Sequence, residues 1–293
     1  MGFWSVLTRF LAIGWAHLYM VSVRWLHYRL PGLGFWLRRI PDGFVFSVHQ
    51  RFYYFHPPCA SAYRVLVAGY SNEPETIKFL GEVFSRLPSG DECTFVDAGA
   101  SIGEMVIFAA GFPQVREVFA FEPQTEACEA IRRSAMLNGF DKVRVCPWAL
   151  SDKAGQVPFF TTVRNPTNAH IASAGTPDTI DVPCRRLDET VAGVVGLAVL
   201  LIDVEGAELK VIQGARDFVR RCAPLIIFEY HGKTRKQFTL NDVAAELGPA
   251  YSFYRLRCNG DGRLDRNLED TWNIVAVPQQ SIFKDICNTQ MIT

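Results

Sequence analysis

Cys93-Thr94-Phe95-Val96-Asp97-Ala98-Gly99-Ala100-Ser101-Ile102-Gly103 reads as a short apolar strand closing on an acid, then a glycine turn that opens an apolar helix over 102–110. The unit recurs downstream. Glu117-Val118-Phe119-Ala120-Phe121-Glu122 is a second strand closing on an acid, and the helix after it, 123–138, is stopped by Asn138-Gly139. Residues 142–146 form a third strand. Leu197-Ala198-Val199-Leu200-Leu201-Ile202-Asp203 is a fourth, with a helix over 207–220 behind it, and Leu225-Ile226-Ile227-Phe228-Glu229 is a fifth. Uncharged strands alternating with amphipathic helices predict an α/β fold, a doubly wound and mostly parallel sheet covered on both faces. Segments 251–257 and 272–277, around the turn Asn259-Gly260-Asp261-Gly262, predict a C-terminal antiparallel hairpin at the sheet edge.

Upstream, 43–48 and 63–68 read as short strands separated by the stiff Pro57-Pro58, and a helix starts at 71–75 and ends near 87–90. The first forty residues differ from everything after them. They hold no Asp or Glu, carry Arg9, Arg24, Arg29, Arg38 and Arg39, and are rich in Trp, Phe and Tyr. The uncharged run 10–23 is shorter than the about 20 residues a spanning helix needs, and no good signal cleavage site follows it. The pattern suits a helix lying in a headgroup layer, or one packing on the rest of the chain or on a second copy. The expected division is 1–41 an N-terminal helical extension, 42–90 strands and a helix leading into the core, 91–280 the catalytic domain and 281–293 a C-terminal tail.

Composition narrows the function classes. The 293 residues balance 30 Lys+Arg against 30 Asp+Glu, and 49% are hydrophobic, which excludes a mostly disordered chain and argues against a dedicated nucleic-acid binder. Eight cysteines are spread without a C-x-x-C pair, so buried thiols are expected rather than disulfides or a zinc finger.

In such sheets ligands bind beyond the carboxyl ends of the strands, at the switch point. Gly99 and Gly103 remove side chains where backbone must approach a ligand. The turn lacks a Walker lysine and the G-x-G-x-x-G spacing, and Asp97 would repel a pyrophosphate while welcoming a cation. Glu122 stands where a carboxylate reaches a ribose diol. A nucleoside with positive charge and no phosphates fits, namely S-adenosylmethionine, with Trp148-Ala149-Leu150-Ser151-Asp152 as an edge for the adenine.

Phe95-Val96-Asp97-Ala98-Gly99-Ala100-Ser101-Ile102-Gly103-Glu104, Phe121-Glu122-Pro123, Ala149-Leu150-Ser151-Asp152, Leu201-Ile202-Asp203-Val204-Glu205-Gly206-Ala207-Glu208 and Ile227-Phe228-Glu229 together resemble the FkbM family of S-adenosylmethionine-dependent methyltransferases. The resemblance runs in order over 74–277. It implies a Rossmann-like class I methyltransferase fold and cofactor contacts at Asp97, Gly99, Ala100, Ser101, Gly103 and Glu122, with Ala149, Leu150 and Ser151 near the adenine. Ser101 stands where the family commonly has Asn. The family's usual acceptors are hydroxyls of sugars, glycolipids and natural products.

The fourth strand end is where acceptor chemistry is expected. Asp203 can bind the methionine amino group or take the hydroxyl proton, and Glu205 beside it is a second catalytic candidate. Glu208 suits a helix-end carboxylate. His231 is a candidate base, as is His170 in the irregular stretch 161–179, where Asn168 can contact a polyol. Asp203 with Glu229 can also hold Mg²⁺, a less favoured option. The leading function is O-methylation of a small-molecule, glycan or lipid acceptor. Methylation of a carboxylate or amine is the alternative, and a non-catalytic membrane-tethered module is a third class. A cytoplasmic location is expected, peripheral to a membrane if 1–41 binds one, with the oligomeric state left open.

Overall fold

The computed structural model describes residues 3–26, 43–161, 169–172, 176–177, 179–269 and 271–292. After helix α1 (Phe3–Leu26) the chain forms a hairpin of β1 (Phe44–Val48) and β2 (Arg51–Phe55), and α2 (Pro74–Ser85) leads into the core. There follow β3 (Cys93–Ala98), α3 (Glu104–Ala110), β4 (Val115–Phe121), α4 (Thr125–Leu137) and β5 (Val143–Cys146). A smaller sheet comes next, from β6 (Ala149–Leu150), β7 (Gly155–Phe160), β8 (His170–Ile171) and β9 (Thr179–Arg185). The chain then passes through α5 (Leu187–Thr190), β10 (Leu197–Ile202), α6 (Glu208–Gln213), α7 (Arg216–Cys222) and β11 (Leu225–Glu229). It closes with α8 (Leu240–Leu247), β12 (Tyr251–Leu256), β13 (Leu264–Asp265), β14 (Asn273–Pro278) and α9 (Ile282–Asn288).

The central sheet runs β13-β12-β14-β11-β10-β3-β4-β5. Its five right-hand strands are parallel, while β14 is antiparallel to β11 and β12 antiparallel to β14. From β3 the chain winds outward to β4 and β5, then returns to β10 and winds the other way, so the switch point lies between β3 and β10. Their register pairs Leu201 with Asp97 and Ile202 with Ala98, which brings two acids to adjacent strand ends. β10 is uncharged because both its faces are buried: Leu201 packs with Phe79, Phe84 and Phe95, whereas its neighbour Leu200 packs with Phe121, Phe218 and Phe228.

Four local expectations are corrected. Residues 63–68 are not a strand. They form turns and a 3₁₀ segment (Leu66–Ala68), with Tyr63 fully buried and its hydroxyl donating to the Tyr54 carbonyl at 2.7 Å. The partner of β1 is β2, reached through His49 and Gln50 at φ 49° and 61°, a left-handed pair built without the Gly or Asn that announces such turns. The single helix over 207–220 is two, because the chain bends at Gly214, where a Cβ would stand 3.0 Å from the Ser151 carbonyl carbon. The region between the third and fourth expected strands, read without any strand, holds the small second sheet, of which β8 lies within 161–179.

The N-terminal helix is present, and it has two faces. Ala12 and Ala16 are buried against the 66–70 turn, with His17 edge-on to Tyr70 at 5.9 Å. Phe10, Leu11, Leu18, Val21 and Trp25 are exposed. No helix among the described residues is long and apolar enough to cross a membrane. At the other end, α9 buries Phe283, Ile286 and Cys287. All eight cysteines are free thiols.

Candidate active site

A cavity of about 460 Å³ opens beyond the carboxyl ends of β3, β4, β10 and β11. Its floor is the turn after β3. Gly99, Ser101 and Gly103 have φ of 93°, 48° and 82°, and the N–H groups of Gly99 and Ala100 donate to the Phe121 carbonyl at 2.9 and 3.0 Å. The glycines serve the chain itself rather than opening room for a ligand. A Cβ at Gly99 would lie 2.8 Å from the Asp203 carbonyl carbon, and one at Gly103 would lie 2.8 Å from Ile131. Ser101 holds a left-handed conformation that Asn tolerates better than most residues, which gives the Asn-to-Ser departure a physical meaning. The Ser101 N–H donates to the Glu122 carboxylate at 2.9 Å, and the Gln124 N–H donates to its other oxygen at 2.8 Å. Glu122 therefore locks the turn and still has lone pairs facing the cavity.

Asp97 is 3% exposed, and no hydrogen bond reaches its carboxylate among the described residues. Asp203 is half-buried; its backbone N–H donates to the Ala98 carbonyl at 2.9 Å, which fixes the strand ends together. Glu205 follows at φ 53°, and Glu229 stands beside them at the end of β11. Glu208 has the structural role read from its position, its carboxylate accepting from the Gly206 and Val204 N–H groups at 3.0 and 3.3 Å. Ala100, Ala149 and Leu150 line the cavity. Ser151 does not; its hydroxyl donates to Asp152 at 2.9 Å.

Neither candidate histidine lines the cavity. The His170 ring packs on Phe160 with centroids 5.4 Å apart. His231 lies behind Glu229, its Nε2 3.4 Å from the Glu229 Oε1 and its ring edge-on to Trp272 at 4.8 Å. Asn168 lies outside the described residues. Three carboxylates of the lining, Glu73, Glu75 and Glu104, were given no role in the sequence reading. Glu73 accepts from Thr76 at 2.8 Å and from Asn273 at 3.0 Å, and Glu104 accepts from the Asn72 side chain at 2.6 Å. Glu104 was within reach, since it directly follows Gly103 in the decisive stretch; Glu73 offers only an unremarkable place before a helix-opening proline. The lining also includes one cation, Arg64, among the described residues.

The comparisons with known proteins bear on this site. The model of the methyltransferase FkbM domain matches residues 97–259, more than half of the chain and the whole span from Asp97 past His231. The chain belongs to the FkbM methyltransferase family. This FkbM-family chain is an S-adenosylmethionine-dependent methyltransferase. A similar curated protein is 2-O-methyltransferase NoeI of Sinorhizobium fredii, 25% identical over 202 residues that cover 61% of this chain and 76% of the relative. Among solved structures, methyltransferase FkbM from Methylobacillus flagellatus is 17% identical with a TM-score of 0.46, over 75% of this chain and only 52%, about half, of that one. M. jannaschii TYW2 in complex with AdoMet is 12% identical with a TM-score of 0.43, over 80% and 84%.

The cofactor fits the site on the enzyme's own electrostatics. Burial pushes the Asp97 carboxyl up to about 8, helped by Glu73 and Glu122, and the Glu229 carboxyl up to about 8, helped by Glu205 and Glu208. Burial likewise raises Glu122 and Glu104 to about 7 against their hydrogen bonds, and raises Asp203 well above the carboxylate range. Acids so placed are satisfied by a ligand bringing positive charge and N–H donors. The folded enzyme then holds more protons than the unfolded chain between about pH 4 and 8, so this contribution to stability is present below about 4 and lost as pH rises through 7–8. The ligand-free melting temperature is expected to fall from pH 6 to 8.5, and S-adenosylmethionine to oppose that fall. A calorimetric series in which the ligand-free midpoint rises over this interval would contradict the assignment.

Proposed function

We propose that this enzyme methylates a hydroxyl of a sugar, glycolipid or small natural product. One observation carries the reading: Asp97, Asp203 and Glu229 stand at three adjacent strand ends that line the cavity, with Glu122 at the next strand end along the sheet. S-adenosylmethionine supplies an electrophilic methyl carbon on a sulfonium. In this reading Glu122 accepts from the ribose diol, Asp97 takes the ammonium end, and Ala100, Ala149 and Leu150 wall the adenine. Arg64 pairs with the α-carboxylate, and Asp203 accepts the acceptor's proton. The acceptor oxygen loses that proton and gains the methyl carbon, while the C–S bonding pair stays on sulfur. Two points support a neutral hydroxyl: the relative NoeI is a 2-O-methyltransferase, and a cavity this rich in carboxylates repels an anionic acceptor. An amine acceptor is the second reading, favoured by the same acids.

Glu122→Ala is expected to weaken S-adenosylhomocysteine binding by about 1–3 kcal/mol in titration calorimetry, the cost of lost hydrogen bonds to a charged group. Glu122→Gln, equal in shape, separates ribose binding from support of the turn. An unchanged affinity in both folded variants would remove Glu122 from the cofactor site. Radiolabelled methyl transfer to neutral glycans, against aminated and carboxylated analogues, identifies the acceptor class.

We assign closure of the cavity to 42–90, which contributes Asn72, Glu73 and Arg64 to its lining, and the chemistry to 91–280. For 1–41 we favour attachment to an anionic bilayer surface. One face of α1 packs inward, while Phe10, Leu11, Leu18, Val21 and Trp25 form an exposed stripe in a segment with five arginines and no acid. Phe10→Ser with Trp25→Ser is expected to reduce liposome flotation at least about tenfold, from the apolar burial lost. Equal flotation of both proteins, or none of either, would overturn that assignment.

A further inference from the structure

We propose that Glu205, Glu229 and His231 form a binding site for a first-row divalent cation, of which Mn²⁺ is the type, beside the methyl-acceptor end of the cavity. The proposal stands apart from the choice of acceptor and extends the site rather than relying on it.

Three observations converge. One ligand atom from each residue lies within 4.8 Å of the other two. Glu229 Oε1 and His231 Nε2 are 3.4 Å apart, the separation of two neighbouring ligands about 2.1 Å from one ion, and long for a direct N–H···O bond. The second Glu229 oxygen, Oε2, is buried without any hydrogen-bond partner, on a residue only 6% exposed. A carboxylate in that position has one oxygen unsatisfied and the other facing a ring nitrogen it does not bond. Burial of this kind is costly unless a cation or donor completes it.

The other ring nitrogen of His231 faces Thr234. The Thr234 hydroxyl lies 3.3 Å from Nδ1; it already donates to the His231 carbonyl at 3.1 Å and accepts from the His231 N–H at 2.7 Å. The Thr234 N–H also donates to Nδ1 at 3.4 Å, so without a cation Nδ1 is the accepting nitrogen and the ring proton stands on Nε2, facing Glu229. Metal binding moves that proton to Nδ1, where the Thr234 hydroxyl has a lone pair to accept it, and leaves Nε2 to the cation. Trp272, edge-on at 4.8 Å, fixes the ring plane. Glu205 supplies the third ligand from the turn after β10, so the site bridges the ends of β10 and β11. Two carboxylates and one imidazole suit Mn²⁺ and its first-row neighbours better than Mg²⁺, which rarely takes nitrogen. The triad differs from the Asp203–Glu229 pair expected from the sequence: Asp203 is left out of it and stays available as a base. If the acceptor is the hydroxyl of the proposed function, a cation here would polarise it beside Asp203, a role that rests on that reading while the binding site itself does not.

The test is binding of the metal alone. Full-length protein stripped with EDTA is titrated with Mn²⁺ and followed by the loss of the free Mn²⁺ electron paramagnetic resonance signal, with Mg²⁺ in parallel. One saturable Mn²⁺ equivalent is expected, weakened at least about tenfold by Glu205→Gln, Glu229→Gln and His231→Gln, and by a smaller factor by Thr234→Val. Glu205→Gln guards against misfolding, because Glu205 is half-exposed and its replacement is equal in shape. Absence of saturable binding, or equal binding by wild type and the Glu205→Gln protein, overturns the site. S-adenosylhomocysteine titration with EDTA present reports the cofactor site separately: retained affinity there alongside lost Mn²⁺ binding confines the failure to the metal.

Discussion

Gly99→Ala is expected to destabilise the enzyme by about 2–5 kcal/mol and to abolish cofactor binding, which would make it the most damaging single methyl group in the catalytic domain. Two costs add. The residue sits at φ 93°, where a side chain is strained, and the new Cβ would overlap the Asp203 carbonyl, its carbon only 2.8 Å away. Neither side yields easily, since both are backbone at the switch point. Asp203 is tied to Ala98 by the hydrogen bond at 2.9 Å, so relief must spread the ends of β3 and β10 and displace Asp97 and Asp203 together. Gly90→Ala is the control: its φ is 100° but nothing lies within 4 Å of the added Cβ, so only the conformational cost of about 1–2 kcal/mol applies. Chemical denaturation of the two variants measures the difference. Equal stabilities would mean that the turn is not pressed against the Asp203 loop.

Asp203→Asn is expected to lower kcat by about 10²–10⁴-fold while leaving S-adenosylhomocysteine affinity within a few-fold of wild type, the pattern of a lost general base. The change preserves shape and removes only the basic oxygen. In the native site burial and the carboxylates of Glu229, Glu73 and Glu205 raise the Asp203 carboxyl, which strengthens it as a base once a cationic ligand ionises it. Loss of affinity with little loss of kcat would instead assign Asp203 to the methionine amino group. His170→Ala is expected to leave both unchanged, because its ring packs on Phe160 outside the cavity lining. A large fall in kcat for that variant would return the base to the 161–179 stretch.

How far each feature could be read depended on whether its cause was local. The α/β alternation, the five parallel strands and the acids closing them were legible because a strand buried on both faces must be an uncharged run, and such runs end where the chain meets solvent. Leu197–Ile202 shows this without reference to any other segment. Glu208 was read correctly for the same reason, since a carboxylate in the first turn of a helix acts on its own backbone. The hairpin of β1 and β2 was missed because its turn, His49-Gln50, carries no glycine, and left-handed backbone there is imposed by strand pairing. The break at Gly214 was missed because its cause, the Ser151 carbonyl, lies about sixty residues earlier in the chain, across the small second sheet and β10.

The sequence by itself determined the fold class, the family resemblance and the identities of Asp97, Glu122, Asp203 and Glu229, since strand-end position and residue type are properties of short segments. Only the tertiary structure decided which acids share one cavity, for two reasons. Glu73 and Glu104 join it through Asn72, Thr76 and Asn273, partners up to 200 positions apart, and no periodicity records such a meeting. His231 faces Glu229 and not the cavity because Thr234 and Trp272 hold its ring there. A side chain's chemistry is written in its residue type, but whether that chemistry meets a substrate, a metal or another side chain is set by what packs around it.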